Sequence, residues 1–230
     1  MNIFNYESKF NQTLLVIADM IILNILYIIC CIPIVTIGAA QAGLFTGIRV
    51  LMDKEDDSSV IKAFFKGFSN GFKSITIVSS TYLLILAGLI LILLNALAIM
   101  LAGGSKLAFI LCAIGVGLIY TLHIVVGPFH ASFGCTTRQL FRNSLYVTLA
   151  YLLRAVLSDV LVLIPVIIFF VRFDFFLAAI IGLLTIYYSV AYFLIFALWK
   201  KPLQSLKESF LESQKNAQEP EIIEEEISEE

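Results

Sequence analysis

Charge is what this chain most lacks. Only 14% of its 230 residues are Asp, Glu, Lys or Arg, where soluble domains carry about 25%. Polar surface is therefore too scarce to cover a globule in water, and 60% of the residues are hydrophobic, with a mean hydropathy of +0.97. The solvent for most of the chain is hydrocarbon. Apolar segments occupy nearly everything before Lys200, so no length remains for a separate soluble catalytic domain.

The usual catalytic signatures are missing as well. There is no H-E-x-x-H zinc motif, no G-x-S-x-G elbow, no Walker-type phosphate loop and no dinucleotide fingerprint. His123 and His130 flank Gly127-Pro128 with no glutamate after either, and read as interfacial histidines. The four cysteines, Cys30, Cys31, Cys112 and Cys135, form no C-x-x-C pair. They read as small hydrophobes, not as metal ligands or disulfide partners. No cofactor, no metal and no enzymatic activity is expected.

What is present is length of apolar chain. A span needs about 20 mostly apolar residues, and five segments qualify: Leu14 to Ile37, Ile75 to Ala102, Leu107 to Val126, Tyr151 to Val171, and Phe175 to Trp199. The expected fold is all-α, a polytopic transmembrane helical bundle of about five spans over residues 1–200. An alternative makes Ala39 to Met52 a sixth, membrane-dipping helix and places the N-terminus inside. The first segment is too long for a cleaved signal peptide and has only Lys9 ahead of it.

Basic residues set the orientation. Arg49, Lys54, Lys62, Lys66 and Lys73 follow the first span, Arg138 and Arg142 the third, and Lys200, Lys201, Lys207 and Lys215 the last. The intervening loops hold only Lys106 and Arg172. Positive charge collects on the cytoplasmic side, so five spans put the C-terminus in the cytoplasm and the N-terminus outside. Basic residues so placed serve orientation and lipid headgroups, and nucleic acid is not an expected partner.

Two of the basic loops have helical periodicity. In Ser58 to Lys73 the apolar positions are Ile61, Phe64, Phe65, Phe68 and Phe72, with Lys62, Lys66 and Lys73 off that stripe and Ser58 or Ser59 as cap. Such a helix lies in the headgroup plane, phenylalanines toward the acyl chains and lysines toward anionic lipid. Ser132 to Leu145 is a fainter version, with Arg138 and Arg142 one turn apart. Setting Phe64-Phe65-Lys66 over Leu140-Phe141-Arg142 suggests a parallel internal repeat, in which Pro33 and Pro128 are equivalent breaks.

Beyond Lys200 hydrophobicity falls away. Residues 201–230 form a cytoplasmic tail whose last dozen residues include seven glutamates, from Glu219 to Glu230, and are expected to be disordered.

Ionisable and amide groups within hydrocarbon are costly and draw attention to themselves. Asp19 and Asn24 lie in the first segment, Arg154 and Asp159 in the fourth. The separation of Arg154 from Asp159 turns them about 140° apart on one helix. Partners on other spans are expected, such as an Arg154 bridge to Asp19 or Asp159. The alternative role is a polar path for a solute or proton.

These same residues carry a resemblance. Ala18-Asp19, Leu23-Asn24, Cys31-Ile32-Pro33-Ile34 and Thr36-Ile37-Gly38-Ala39 are similar to the opening signature of the YesL-like membrane proteins. That family is bacterial, chiefly Gram-positive, and of unknown function. The Phe64 to Phe72 segment and the layout agree over residues 1–200, while the acidic tail has no counterpart. The resemblance implies a multi-pass plasma-membrane protein whose genes often accompany carbohydrate uptake and degradation systems. It transfers no catalytic residue and marks Asp19, Asn24, Pro33 and Gly38 as fold determinants. The resemblance implies no established activity; the two basic loops on one face together with that context lead to an expected role as a non-enzymatic accessory of a sugar ABC-type importer, embedded in the lipid bilayer.

Overall fold

A computed structural model describes residues 9–52, 59–171 and 180–228. Within them the chain is helical, and no strand is present among the described residues. We number the helices α1 (Lys9–Cys31), α2 (Ile37–Met52), α3 (Val60–Ser69), α4 (Phe72–Leu101), α5 (Lys106–Phe133), α6 (Thr137–Ala150), α7 (Leu152–Val171) and α8 (Tyr188–Ser228). A π-turn, Leu183–Tyr187, leads into α8. Ser58, Arg172 and the start of the fifth apolar segment lie outside the described residues.

The first apolar segment ends at Pro33, which cannot donate a backbone hydrogen bond to the helix before it. A short 3-10 turn, Ile34–Thr36, follows, and the Thr36 hydroxyl lies 2.5 Å from Cys30 O and 2.7 Å from Pro33 O. That hydroxyl satisfies carbonyls the broken helix leaves open. The chain then folds back: Gly47 of α2 faces the Leu23 side chain of α1, so the two helices run antiparallel.

A helical bundle of four to five candidate spans is present, and one segment of it differs from the leading layout. Residues Ile34–Met52, divided above between the end of the first segment and a connection, make a helical stretch long and apolar enough to cross a membrane, as in the alternative that made Ala39 to Met52 a membrane helix. Asn11–Cys31, Phe72–Leu101 and Lys106–Phe133 are the other such helices among the described residues, and the bent α6–α7 pair makes a possible fifth. Every residue from Gly38 to Ile48 is buried. α2 is thus the central helix, covered by protein rather than by lipid, and its Gln41 and Thr46 find hydrogen-bond partners there.

Glycine sets how closely its neighbours approach. A Cβ on Gly38 would sit 2.3 Å from Ser79 Cβ on α4, one on Gly43 would meet Phe64 O at 2.9 Å, and one on Gly127 would meet Gln41 Cβ at 2.6 Å. Small residues permitting close backbone approach are what hold helices together where lipid removes the hydrophobic drive. α4 and α5 show the opposite behaviour at their far ends. Beyond Tyr82 the only buried residue of α4 is Ala96, and nothing in α5 is buried before Thr121. That half of the α4–α5 hairpin presents leucine and isoleucine outward, including Leu84, Leu91, Leu107 and Leu111.

The offset that sets Lys66 on Arg142 carries α3 onto residues 136–145 and α4 onto 148–177, hence onto α6 and α7. Burial shares that register only in part: Phe64 and Leu140 are both buried and Phe65 and Phe141 exposed, but Val60, Ala63 and Gly67 are buried where Thr136 and Gln139 are exposed and Asn143 is half-buried. The prolines do not share it. Pro33 ends a helix, whereas Pro128 lies inside α5, which continues to Phe133. α6 meets α7 at 98°, as a helix along a membrane surface meets one that crosses it. Its start is fastened by Thr136 N–H donating to Gln139 Oε1 at 3.2 Å.

The chain divides into two compact units, Met1–Phe196 and Ala197–Glu230. In the second, α8 continues as helix through Ser228, over the glutamates from Glu219 to Glu226 that were expected to be disordered; Glu229 and Glu230 lie outside the described residues.

Candidate functional site

The predicted interfacial residues of α3 divide between two faces. Val60, Ala63, Phe64 and Gly67 are buried, while Ile61, Phe65 and Phe72 are exposed and Phe68 is half-buried. Phe64 thus leaves the membrane-facing stripe and packs beneath α2, against Gly43, because positions 60, 63, 64 and 67 make their own helical stripe. It still touches the outward set, edge-on to Phe65 at 5.5 Å and stacked on Phe68 at 6.3 Å. Lys62, Lys66 and Lys73 are exposed, as are Arg138 and Arg142 on α6. Ser59 stands at the N-cap of α3 without a side-chain hydrogen bond.

The intramembrane ionisable residues are not brought together as the sequence suggested. Among the described residues no ion pair joins Arg154 to Asp19 or Asp159. Arg154 is the third residue of α7, just past the bend, and its guanidinium lies over the Tyr151 ring, 5.4 Å from the centroid. Asp159, buried, instead meets Thr121 of α5, whose hydroxyl donates to Oδ2 at 2.5 Å; Oδ1 has no hydrogen-bond partner among the described residues. Asp19 is half-buried. Asn24 is fully buried, and its Oδ1 accepts from Ser189 N–H at 3.3 Å.

A second polar group, absent from the sequence reading, sits at the core of the bundle. His123, 3% exposed, joins three helices: Gln41 Nε2 of α2 lies 3.3 Å from its Nε2, and Ser79 Oγ of α4 lies 3.4 Å from its Nδ1. With the Gln41 amide donating, Nε2 accepts and the neutral ring gives its Nδ1 proton to Ser79. His123 is therefore an interior hydrogen-bonded residue, and the interfacial reading of it is wrong. His130 is buried too, and its Nε2 lies 2.8 Å from Asn70 O at the end of α3. The one available sequence signal was the apolar run around both histidines, which favours burial over exposure.

Tyrosines cluster between α1 and the start of α8. Tyr27 packs on Tyr188 and Tyr192 at 5.1 and 6.0 Å between ring centroids, and shares hydrogen bonds with Cys31 and Tyr192. Tyr187 donates to Leu161 O. Among the described residues no group of three His, Cys, Asp or Glu converges as a metal site. Cys135, between α5 and α6, is no reactive thiolate: burial pushes its thiol up, outweighing a hydrogen bond with Asn143 that lowers it.

Long apolar helices folded on small-residue contacts, with short basic helices at one end, define a multi-pass helical membrane protein. Comparison adds one match: residues 20–96 are similar to a family described as protein of unknown function, DUF624. That stretch runs from α1 through most of α4 and includes Asn24, Pro33, Gly38 and the whole of α3. No curated protein and no solved structure matches the chain.

Proposed function

We propose that the protein is a non-enzymatic accessory or scaffold component of the plasma membrane, associated with a carbohydrate uptake system. The observation that carries the scaffold reading is the α4–α5 hairpin, whose outer half presents mainly leucine and isoleucine outward and buries only Ala96. A hairpin of that kind offers a flank to the helices of another membrane protein. The α3 and α6 surfaces at the opposite end of the bundle add exposed lysine and arginine for contact at the cytoplasmic face. Support for the carbohydrate context comes from the resemblance of the first segment to the YesL-like proteins.

Basic residues on α3 and α6 argue for a cytoplasmic position of both helices. Because α1 and α2 run antiparallel, the start of α1 then lies on that same side and not outside. Extraction of native membranes in mild detergent, followed by affinity purification, is expected to recover sugar ABC-type importer subunits with the protein. Repeated recovery of the protein alone would contradict the proposal.

A second reading, a small-solute transporter, is favoured by the buried Asp159 and its unsatisfied oxygen. It predicts that Asp159→Asn abolishes solute flux in reconstituted vesicles while the protein still elutes as a folded species. Unchanged flux, or loss of folding alone, would remove that reading.

A further inference from the structure

Where α2, α3 and the end of α5 meet, a cavity of about 170 Å³ opens between Thr46, Arg49, Lys62, Lys66, Asn70 and His130. Three of these six side chains are cationic, and no carboxylate lines the cavity among the described residues. Lys62 and Lys66 stand one turn apart on α3 and so point the same way. Cations gathered in this manner repel one another unless an anion comes between them.

The cavity is built into the packing and is not merely a patch of surface lysines. Gly67 lets α3 close on α2, where a Cβ would meet Thr46 Oγ1 at 2.4 Å and Ala42 O at 2.8 Å. Gly71, at φ 64°, makes the left-handed turn after α3, and a Cβ there would meet His130 Nε2 at 2.4 Å. His130 itself is 1% exposed, and its Nδ1 has no hydrogen-bond partner among the described residues. Since its Nε2 faces the Asn70 carbonyl at 2.8 Å, Nε2 carries the proton and Nδ1 of the neutral ring is an acceptor.

We propose that this cavity binds a phosphate group, either a phosphate monoester or inorganic phosphate. Arg49, Lys62 and Lys66 would take the charged oxygens, with Arg49 offering the bidentate fork suited to phosphate. Asn70 supplies a neutral hydrogen bond, while the Thr46 hydroxyl donates to Ala42 O and His130 forms part of the wall. The ligand could come from a lipid of the phosphatidic acid type or from a phosphorylated solute. The cavity's place beside an interfacial helix suits both.

The test uses the full chain, because the linker between α2 and α3 includes Asp53, Glu55, Asp56 and Asp57. In phosphatidylcholine nanodiscs, calorimetric titration with inorganic phosphate is expected to saturate. The Lys62→Gln/Lys66→Gln double variant alters only exposed side chains and should keep its unfolding temperature while losing about tenfold or more in phosphate affinity. Arg49→Lys, which keeps the charge and loses the fork, should fall between. Lys106→Gln, at the far end of the hairpin, should bind like wild type. Discs containing phosphatidic acid separate the sources. Suppressed phosphate binding there supports a headgroup ligand, and unchanged binding supports a soluble one. Absence of saturable phosphate binding, or wild-type affinity in the double variant, would each overturn the proposal.

Discussion

Phe64→Ala is expected to destabilise the protein by about 3–5 kcal/mol, the range for emptying a packed aromatic site, while Phe65→Ala changes stability by less than about 1 kcal/mol. The two residues are adjacent in sequence and identical in chemistry. Phe64 is fully buried, beneath α2 where Gly43 makes room for it, whereas Phe65 is 47% exposed. Removing the first ring leaves a void between α2 and α3 that the closely packed backbones cannot fill. Removing the second takes away surface that detergent or lipid would otherwise cover. Thermal unfolding of both variants in the same detergent, followed by tryptophan fluorescence or by loss of the monodisperse elution peak, measures the contrast. Equal midpoints would mean that α3 does not dock on α2 as described.

Gly38→Leu is expected to be the most damaging substitution in the spans, and Gly88→Leu close to neutral. A Cβ on Gly38 would already lie 2.3 Å from Ser79 Cβ and 2.5 Å from Ser79 Oγ, so α4 must move away from α2. Ser79 is also a hydrogen-bond partner of His123. Displacing α4 therefore leaves buried polar groups unpaired, at about 1–3 kcal/mol each. Overpacking itself costs a further 1–3 kcal/mol or so. Gly88 lies on α4 with nothing within 4 Å of its would-be Cβ, and leucine is the better helix former. Expression level and elution profile should collapse for Gly38→Leu and stay at wild-type values for Gly88→Leu. Similar behaviour of the two would exclude close α2–α4 contact.

The sequence pattern revealed the helices that touch lipid and misplaced the one that does not. Phe72–Leu101 and Lys106–Phe133 were legible because nearly every position along them is apolar, as a lipid-facing surface demands. α2 was counted as a loop because Gln41, Thr46, Arg49 and its glycines dilute the run. Those are the residues that a helix enclosed by protein uses for hydrogen bonds and close contact. Period-3.6 spacing located α3 and α6 correctly, yet could not say which of Phe64 and Phe65 faces inward, since two stripes share that helix.

The candidate site was legible only in part. Asp159 and Asn24 were marked by the cost of burying polarity, but their partners, Thr121 and Ser189, are ordinary hydroxyl residues with no signal of their own. The Arg154 bridge was inferred from charge alone. A break of 98° at Tyr151, which turns Arg154 onto an aromatic ring, has no signature in composition. The basic cavity eluded the linear reading because Arg49, Lys66 and His130 come from three separate helices.

The most direct test of a bundle built around a protein-covered α2 is labelling with a bilayer-soluble diazirine. After irradiation in reconstituted membranes, peptides are mapped by mass spectrometry. Adducts are expected on residues 84–94 and 107–118, where α4 and α5 present bare leucine and isoleucine, and not on residues 39–48 of α2. Adducts on Leu44 or Phe45 as dense as those on Leu84 would contradict this arrangement.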